Sequence, residues 1–273
     1  MNGRVCIVTG ANGGLGKATA LGLARHGATV LLACRDRERG EAALTEVRSA
    51  TGNDVAELML VDLSSQRSIR AMIEAFKEKH KQLDVLINNA AVYKGSRTLT
   101  IDGAETMFAT NHLGPFLLTN LLLDSLKASP SARIITITAP STTRLNFDDL
   151  QGEQSFSALT TFGATKMCNL LFTYELARRL DGTGVAANAF HPGLVKSSLM
   201  KEAPRAVRWL TQLLSTSPER AAKALVYLAL SPEVMEMTGK FFKGRRPIES
   251  DTYSKDQQVQ RRLWDVSAEL VGL

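Results

Sequence analysis

The chain has 273 residues, 44% of them hydrophobic and 22% charged, with a formal net charge of +6. That length fits one large α/β domain or two small ones and buries a core without disulfides or a structural metal. The basic residues are dispersed rather than gathered in an arm, which argues against a nucleic-acid partner, and no apolar stretch approaches the roughly 20 residues needed to span a bilayer.

Short apolar runs alternate with longer amphipathic stretches from one end to the other. Residues 4–9 read as a strand that begins almost at the N-terminus, so no signal peptide is expected. A helix over 16–26, ended by Gly27, leads to a strand over 28–34 and a helix over 37–49. A strand at 57–61, a helix at 65–79 and a strand at 84–87 follow, then a long helix within 103–127. A strand at 133–138, a helix at 160–180 and a strand at 185–190 continue the pattern. Residues 206–214 and 218–229 look helical, and 240–243 forms a last strand.

The strands are continuously apolar rather than alternating, so both faces of the sheet are covered. The expected fold is a Rossmann-type, doubly wound parallel sheet of about seven strands in three α/β/α layers, as one domain over 1–273. Ligands on such a sheet bind outside the carboxyl ends of the strands.

Cys6, Cys34 and Cys168 are odd in number and widely spaced, which argues against a zinc site or a disulfide framework; no metal is expected. Cys6 and Cys34 read as small buried apolar residues in strands, and a reducing, cytoplasmic compartment is expected.

The first strand runs into Thr9-Gly10-Ala11-Asn12-Gly13-Gly14-Leu15-Gly16, and a helix follows. Glycines in this context let the backbone approach a pyrophosphate, and the helix start offers free N–H groups and partial positive charge. The spacing Gly10-x-x-x-Gly14-x-Gly16 after Thr9 resembles that of the short-chain dehydrogenase/reductase family. The resemblance continues through Asp62-Leu63, Asn88-Asn89-Ala90-Ala91, Asn111-His112-Leu113-Gly114 and His191-Pro192-Gly193-Leu194-Val195. Segments 111–119, 146–150, 171–180 and 262–272 are similar to the retinol-dehydrogenase-like branch in particular.

The resemblance implies a nicotinamide dinucleotide held by Gly10, Asn12, Gly13, Gly14, Leu15 and Gly16. It places Asp62 and Leu63 near the adenine, Lys166 on the nicotinamide ribose, and Asn89, Ala90, Pro192, Gly193 and Val195 along the remainder. Arg35 follows the second strand, where NADP-preferring relatives carry a basic residue, so NADP is expected rather than NAD. Arg37 could help, whereas Asp36 is a competing acidic residue.

In the family a tyrosine four residues before the lysine transfers a proton to or from the substrate oxygen, and a serine after the fifth strand holds that oxygen. Here Phe162 stands four before Lys166, and Ala139 stands at the serine position, with Asn111 retained. Phenylalanine has no ionisable oxygen and cannot act as a general acid. Thr138, Ser141, Tyr93 and His112 are the nearby polar residues that could substitute, each with a plainer structural reading.

Three functions fit: an oxidoreductase with a substitute proton donor, a cofactor-binding pseudoenzyme, or a repurposed pocket. The partner expected is a lipophilic small molecule. A lid over it is expected at 197–217, with Val207, Leu210, Leu213 and Leu214 as an apolar stripe and Trp209 beside it. The family resemblance also implies a dimer or tetramer formed through helices 103–127 and 160–180.

Overall fold

A computed structural model describes residues 3–196, 199, 201–203, 209 and 215–273. Eight strands form one sheet: β1 (Val5–Thr9), β2 (Thr29–Cys34), β3 (Glu57–Leu60), β4 (Val85–Asn88), β5 (Ala132–Ile137), β6 (Val185–His191), β7 (Phe241–Lys243) and β8 (Arg246–Ile248). Their order is β3-β2-β1-β4-β5-β6-β7-β8. Every pairing is parallel except β7–β8.

The sheet thus has one strand more than the seven expected. Pro247 hides β8 in the sequence, because proline cannot donate to a ladder; it is tolerated here because β8 is the edge strand. A tight turn at Gly244, with φ 62°, sends the chain back.

The helices are α1 (Gly14–Arg25), α2 (Arg37–Thr51), α3 (Gln66–Lys79), α4 (Thr106–Phe108), α5 (Gly114–Leu121), α6 (Leu123–Lys127), α7 (Ala158–Arg179), α8 (Pro218–Leu230) and α9 (Gln257–Val271). Local chemistry sets their ends. The Asp36 carboxylate accepts the Arg39 N–H at the start of α2, and Gly52, with φ 65°, ends it. Ser65, Ser217 and Asp256 cap α3, α8 and α9 in the same way.

Alternate residues of the same strands feed two cores. Ile7, Leu31, Leu86 and Ile134 meet Phe76, Phe116 and Phe172 on one face. Cys6, Val8, Leu32, Ile87 and Ile135 meet Leu23, Val47 and Leu225 on the other. This explains the continuously apolar strands, and each fully buried aliphatic side chain contributes about 1.5–3 kcal/mol. The three cysteines are buried and free. Burial pushes the Cys6 thiol up to about 12 and that of Cys34 up to about 11.

The long helix expected within 103–127 is broken. A π-helical turn, Ala109–Leu113, separates α4 from α5 and carries Asn111. Gly114 follows because a Cβ there would lie 2.3 Å from the Leu63 carbonyl oxygen, so the two segments pack backbone to backbone.

The C-terminal helix α9 has no counterpart among the expected elements. Its Trp264 ring sits 4.9 Å from Phe116 and 5.9 Å from Phe172, with the Arg179 guanidinium 4.2 Å from its centre. The chain therefore lays its own helix across α5 and α7, the helices expected to carry self-association. Among the described residues no helix is long and apolar enough to cross a membrane. The helix expected at 206–214 lies outside the described residues apart from Trp209.

Candidate functional site

The carboxyl ends of β1, β4, β5 and β6 converge on one edge of the sheet, and the predicted site residues are distributed along it. After β1 the chain turns through Gly10, with φ 64°, and Gly14, with φ 51°. Gly10 is packed against Ala90, where its Cβ would lie 3.0 Å from the alanine Cα. At Gly16 a Cβ would lie 2.3 Å from the Gly10 carbonyl oxygen and 2.6 Å from Asn89 Nδ2. A side chain there would fill the cradle. Helix α1 begins at Gly14 rather than Gly16, and Gly13 offers no side-chain cap. The first-turn N–H groups of α1 are left to an external acceptor, and the residues fit a dinucleotide pyrophosphate. Leu15 is buried beneath this turn, while Asn12 is half-buried within it.

Thr9 ties the turn to β4. Its Oγ1 accepts the N–H groups of Asn89 and Ala90 at 2.9 and 3.0 Å, and Asn89 Nδ2 donates to the Thr9 carbonyl at 2.8 Å. Asp62 Oδ1 accepts from Ser64 N and Oγ, stiffening the loop after β3, while Leu63 is buried against Gly114.

At the end of β2, Arg35 is exposed and has no hydrogen-bond or ion-pair partner among the described residues. Asp36 does not compete for the site, because its carboxylate caps α2. Arg37 faces Glu41 across 3.5 Å. Arg39 is the residue that sequence reading missed. Its Nη2 would be 3.9 Å from a Cβ on Gly13, so the guanidinium lies over the glycine turn, and it too is unpaired among the described residues. The signal was available: an aspartate N-cap at 36 puts residue 39 in the first helical turn.

Asn111 clamps the irregular segment that follows β4. Its Oδ1 accepts Val92 N at 2.8 Å, and its Nδ2 donates to Val92 O at 3.0 Å and to Thr165 Oγ1 at 3.3 Å. The next residue, Tyr93, is buried and lies edge-on to Phe162 with ring centres 5.6 Å apart. Phe162 and Lys166 share one face of α7, with Nζ 5.0 Å from the ring centre. Lys166 is only 7% exposed, and burial pulls its ammonium down to about 8.

Three hydroxyls near this pair donate to carbonyls of α7. Thr138 Oγ1 donates to Lys166 O at 2.7 Å, Ser141 Oγ to Gly163 O at 2.8 Å and Thr165 Oγ1 to Phe162 O at 2.8 Å. Ala139, half-buried after β5, has no hydroxyl to offer. His112 points elsewhere: it is fully buried, with Nε2 2.8 Å from Ser267 Oγ on α9.

After β6, Pro192 leads into Gly193, with φ 74°. Val195 bridges to Thr216, so the two ends of the segment expected as a lid are pinned side by side. Val207, Leu210, Leu213 and Leu214 lie outside the described residues, whereas Trp209 is 66% exposed. Near its start, Glu202 pairs with Lys94 at 2.9 Å, and Ala203 packs against Tyr93 and Met107.

The sequence matches the short chain dehydrogenase profile over residues 4–208. The chain belongs to the short-chain dehydrogenase family. It is 42% identical to human retinol dehydrogenase 14 over 100% of this chain and 88% of that protein, which places it in the retinol-dehydrogenase-like branch. Among solved structures, it resembles an uncharacterised protein from Mycobacterium paratuberculosis at 33% identity and TM-score 0.80, covering 99% of this chain and 94% of that one. It also resembles the RhlG/NADP active-site complex of Pseudomonas aeruginosa at 26% identity and TM-score 0.72, covering 89% and 95%. Short-chain dehydrogenases bind a nicotinamide cofactor, and the glycine cradle described above fits one.

Proposed function

We propose that the chain is an NADP(H)-binding oxidoreductase that moves hydride between the nicotinamide and a lipophilic alcohol or carbonyl compound. In this reading Phe162 and Ala139 stand where the family carries its tyrosine and serine. The observation that carries the cofactor choice is the exposed Arg35 at the end of β2 together with the Arg39 guanidinium over Gly13, neither with a hydrogen-bond or ion-pair partner among the described residues, with the nearby Asp36 carboxylate engaged in a helix cap. Two such groups suit a 2′-phosphate, whereas an acidic side chain there would suit a free ribose hydroxyl. The NADP in the RhlG complex and the retinol dehydrogenase name of the relative support the same reading.

Gly10, Asn12, Gly13, Gly14, Leu15 and Gly16 would cradle the pyrophosphate, and Asp62 with Leu63 would flank the adenine. Lys166 would hold the nicotinamide ribose, with Asn89, Ala90, Pro192, Gly193 and Val195 lining the rest. The cofactor, when bound, supplies the hydride. The residues supply proximity, which alone can lower a barrier by several kcal/mol. They do not supply the phenolic acid, a contribution of about 10²–10⁴ in rate. Asn111 acts here as a clamp on Val92, and Ser141 as a brace on α7. A cytoplasmic location is part of this reading, supported by three buried free thiols.

A second reading, cofactor binding without turnover, is favoured by the inward hydrogen bonds of Thr138, Ser141 and Thr165. The test is NADPH oxidation across a panel of lipophilic aldehydes and ketones. Slow but saturable oxidation is expected. Tight NADPH binding with no oxidation would select the second reading.

A further inference from the structure

Thr138, Ser141, His112 and Tyr93 are the polar residues that could replace the missing acid, and the fold engages the first three elsewhere. Thr138 and Ser141 give their hydroxyl protons to the Lys166 and Gly163 carbonyls, and His112 Nε2 lies against Ser267 Oγ on α9. Thr165, the next hydroxyl on α7, donates to the Phe162 carbonyl. Tyr93 is left, and it meets the altered position itself. Its ring packs on that of Phe162 with centres 5.6 Å apart and planes at 66°.

Hydrogen bonds fix that juxtaposition. Asn111 accepts Val92 N and donates to Val92 O and to Thr165 Oγ1, and Thr165 Oγ1 donates to Phe162 O. One bonded chain therefore runs from the residue before Tyr93 to Phe162. Met107 and Ala203 pack with the Tyr93 ring, and Ala203 belongs to the segment after β6 that is expected to cover a substrate. Within this apolar cluster Tyr93 carries the one ionisable oxygen among the described residues, a phenol that can donate a hydrogen bond and release its proton.

We propose that Tyr93 is the proton donor of this chain: its phenol hydrogen-bonds the carbonyl oxygen of the substrate and supplies the proton that makes it an alcohol. The hydride that forms the new C–H bond comes from NADPH, which leaves as NADP+. The carbonyl π electrons take the Tyr93 proton as a new O–H bond, and the phenolate regains a proton from solvent. The inference rests on the oxidoreductase reading above and names the residue that moves its proton. Tyr93 stands on the segment after β4, not on the α7 face that carries Lys166. It therefore recovers only part of the usual acid–base contribution, about tenfold out of about 10²–10⁴.

The test measures NADPH oxidation with decanal by the full chain and by Tyr93→Phe, then repeats the pair in a Phe162→Tyr, Ala139→Ser background. NADPH affinity is read by fluorescence on each preparation. Tyr93→Phe is expected to lower kcat about tenfold with NADPH affinity unchanged. In the second background the loss should shrink to within about twofold, because Phe162→Tyr supplies another donor, whereas a packing role costs the same in both. An equal loss in both backgrounds, or none in either, overturns the inference while the oxidoreductase reading stands.

A second readout needs no turnover. The chain has four tyrosines, so [ζ-13C]tyrosine labelling gives four resonances, and Tyr93→Phe identifies one of them. Decanamide, a carbonyl compound that accepts no hydride, is added with NADP+. It should shift the Tyr93 resonance saturably and leave those of Tyr174, Tyr227 and Tyr253 in place. An unmoved Tyr93 resonance at decanamide concentrations that inhibit decanal reduction overturns the inference. A shifted Tyr93 resonance in a chain that oxidises no NADPH upholds the carbonyl contact while the oxidoreductase reading fails.

Discussion

Lys166 Nζ lies 5.0 Å from the centre of the Phe162 ring, one turn back on α7. Three hydroxyls stand nearby, and each donates to a carbonyl of the same helix segment: Thr138 to Lys166, Ser141 to Gly163 and Thr165 to Phe162. The helix is braced, and the amine is left with an aromatic face. A cation–π contact of this kind contributes about 0.5–2 kcal/mol, less than the cost of burying the charge.

Restoring the missing oxygens should restore rate. The double substitution Phe162→Tyr with Ala139→Ser is expected to raise kcat for NADPH-dependent aldehyde reduction by about 10²–10⁴. Steady-state NADPH oxidation reads this directly. No gain, with cofactor affinity unchanged, would mean that the pocket no longer orients a carbonyl.

The two free guanidiniums should act on one cofactor and not the other. Arg35→Ser or Arg39→Ser is expected to weaken NADPH binding by about 10–100-fold, the loss of a charged hydrogen bond, and to leave NADH binding nearly unchanged. Equal losses for both cofactors would move the arginines off the 2′-phosphate.

Lys166 should destabilise the empty protein. Its amine sits near 8 in the fold and near 10.5 when exposed, so the unfolded chain binds more protons between these values, and stability rises with pH across that window. At pH 7 both states are charged and the full penalty, about 3 kcal/mol, is present. Lys166→Met should therefore stabilise the cofactor-free chain at pH 7, with the gain shrinking towards pH 10.5. Urea unfolding at pH 7 and pH 10 checks the sign.

His112 gives a profile of the same sign at lower pH. Burial holds it down at about 4, against 6.5 for an exposed histidine, with Asn169 partly offsetting the effect. Its contribution is intact above pH 6.5 and is lost as pH falls towards 4, by about 3 kcal/mol. The gap in stability between the wild type and His112→Asn should narrow across that window. A constant gap would place the proton elsewhere.

Much of this was legible in the residues. Continuous apolar strands meant two covered faces, and the glycines at 10, 14 and 16 meant a cradle, because both follow from excluded volume. The π turn at Ala109–Leu113 was not legible, since it depends on Gly114 meeting the Leu63 carbonyl across the fold. Strand β8 was obscured by Pro247, and α9 by its dependence on a tertiary anchor, Trp264. At the site, the sequence named Arg35, Phe162 and Ala139. It could not show that Asp36 is engaged as a cap, that Arg39 overhangs Gly13, or that Ser141 turns away from the pocket.

The central claim is a site for NADP(H) on a scaffold without its phenol. Fluorescence titration of the unmodified chain with NADPH and with NADH tests it most directly. The account predicts saturable NADPH binding at least about tenfold tighter than NADH, the contribution of one charged contact to the extra phosphate. NADH binding as tight as NADPH, or no affinity for either up to about millimolar concentration, would contradict it.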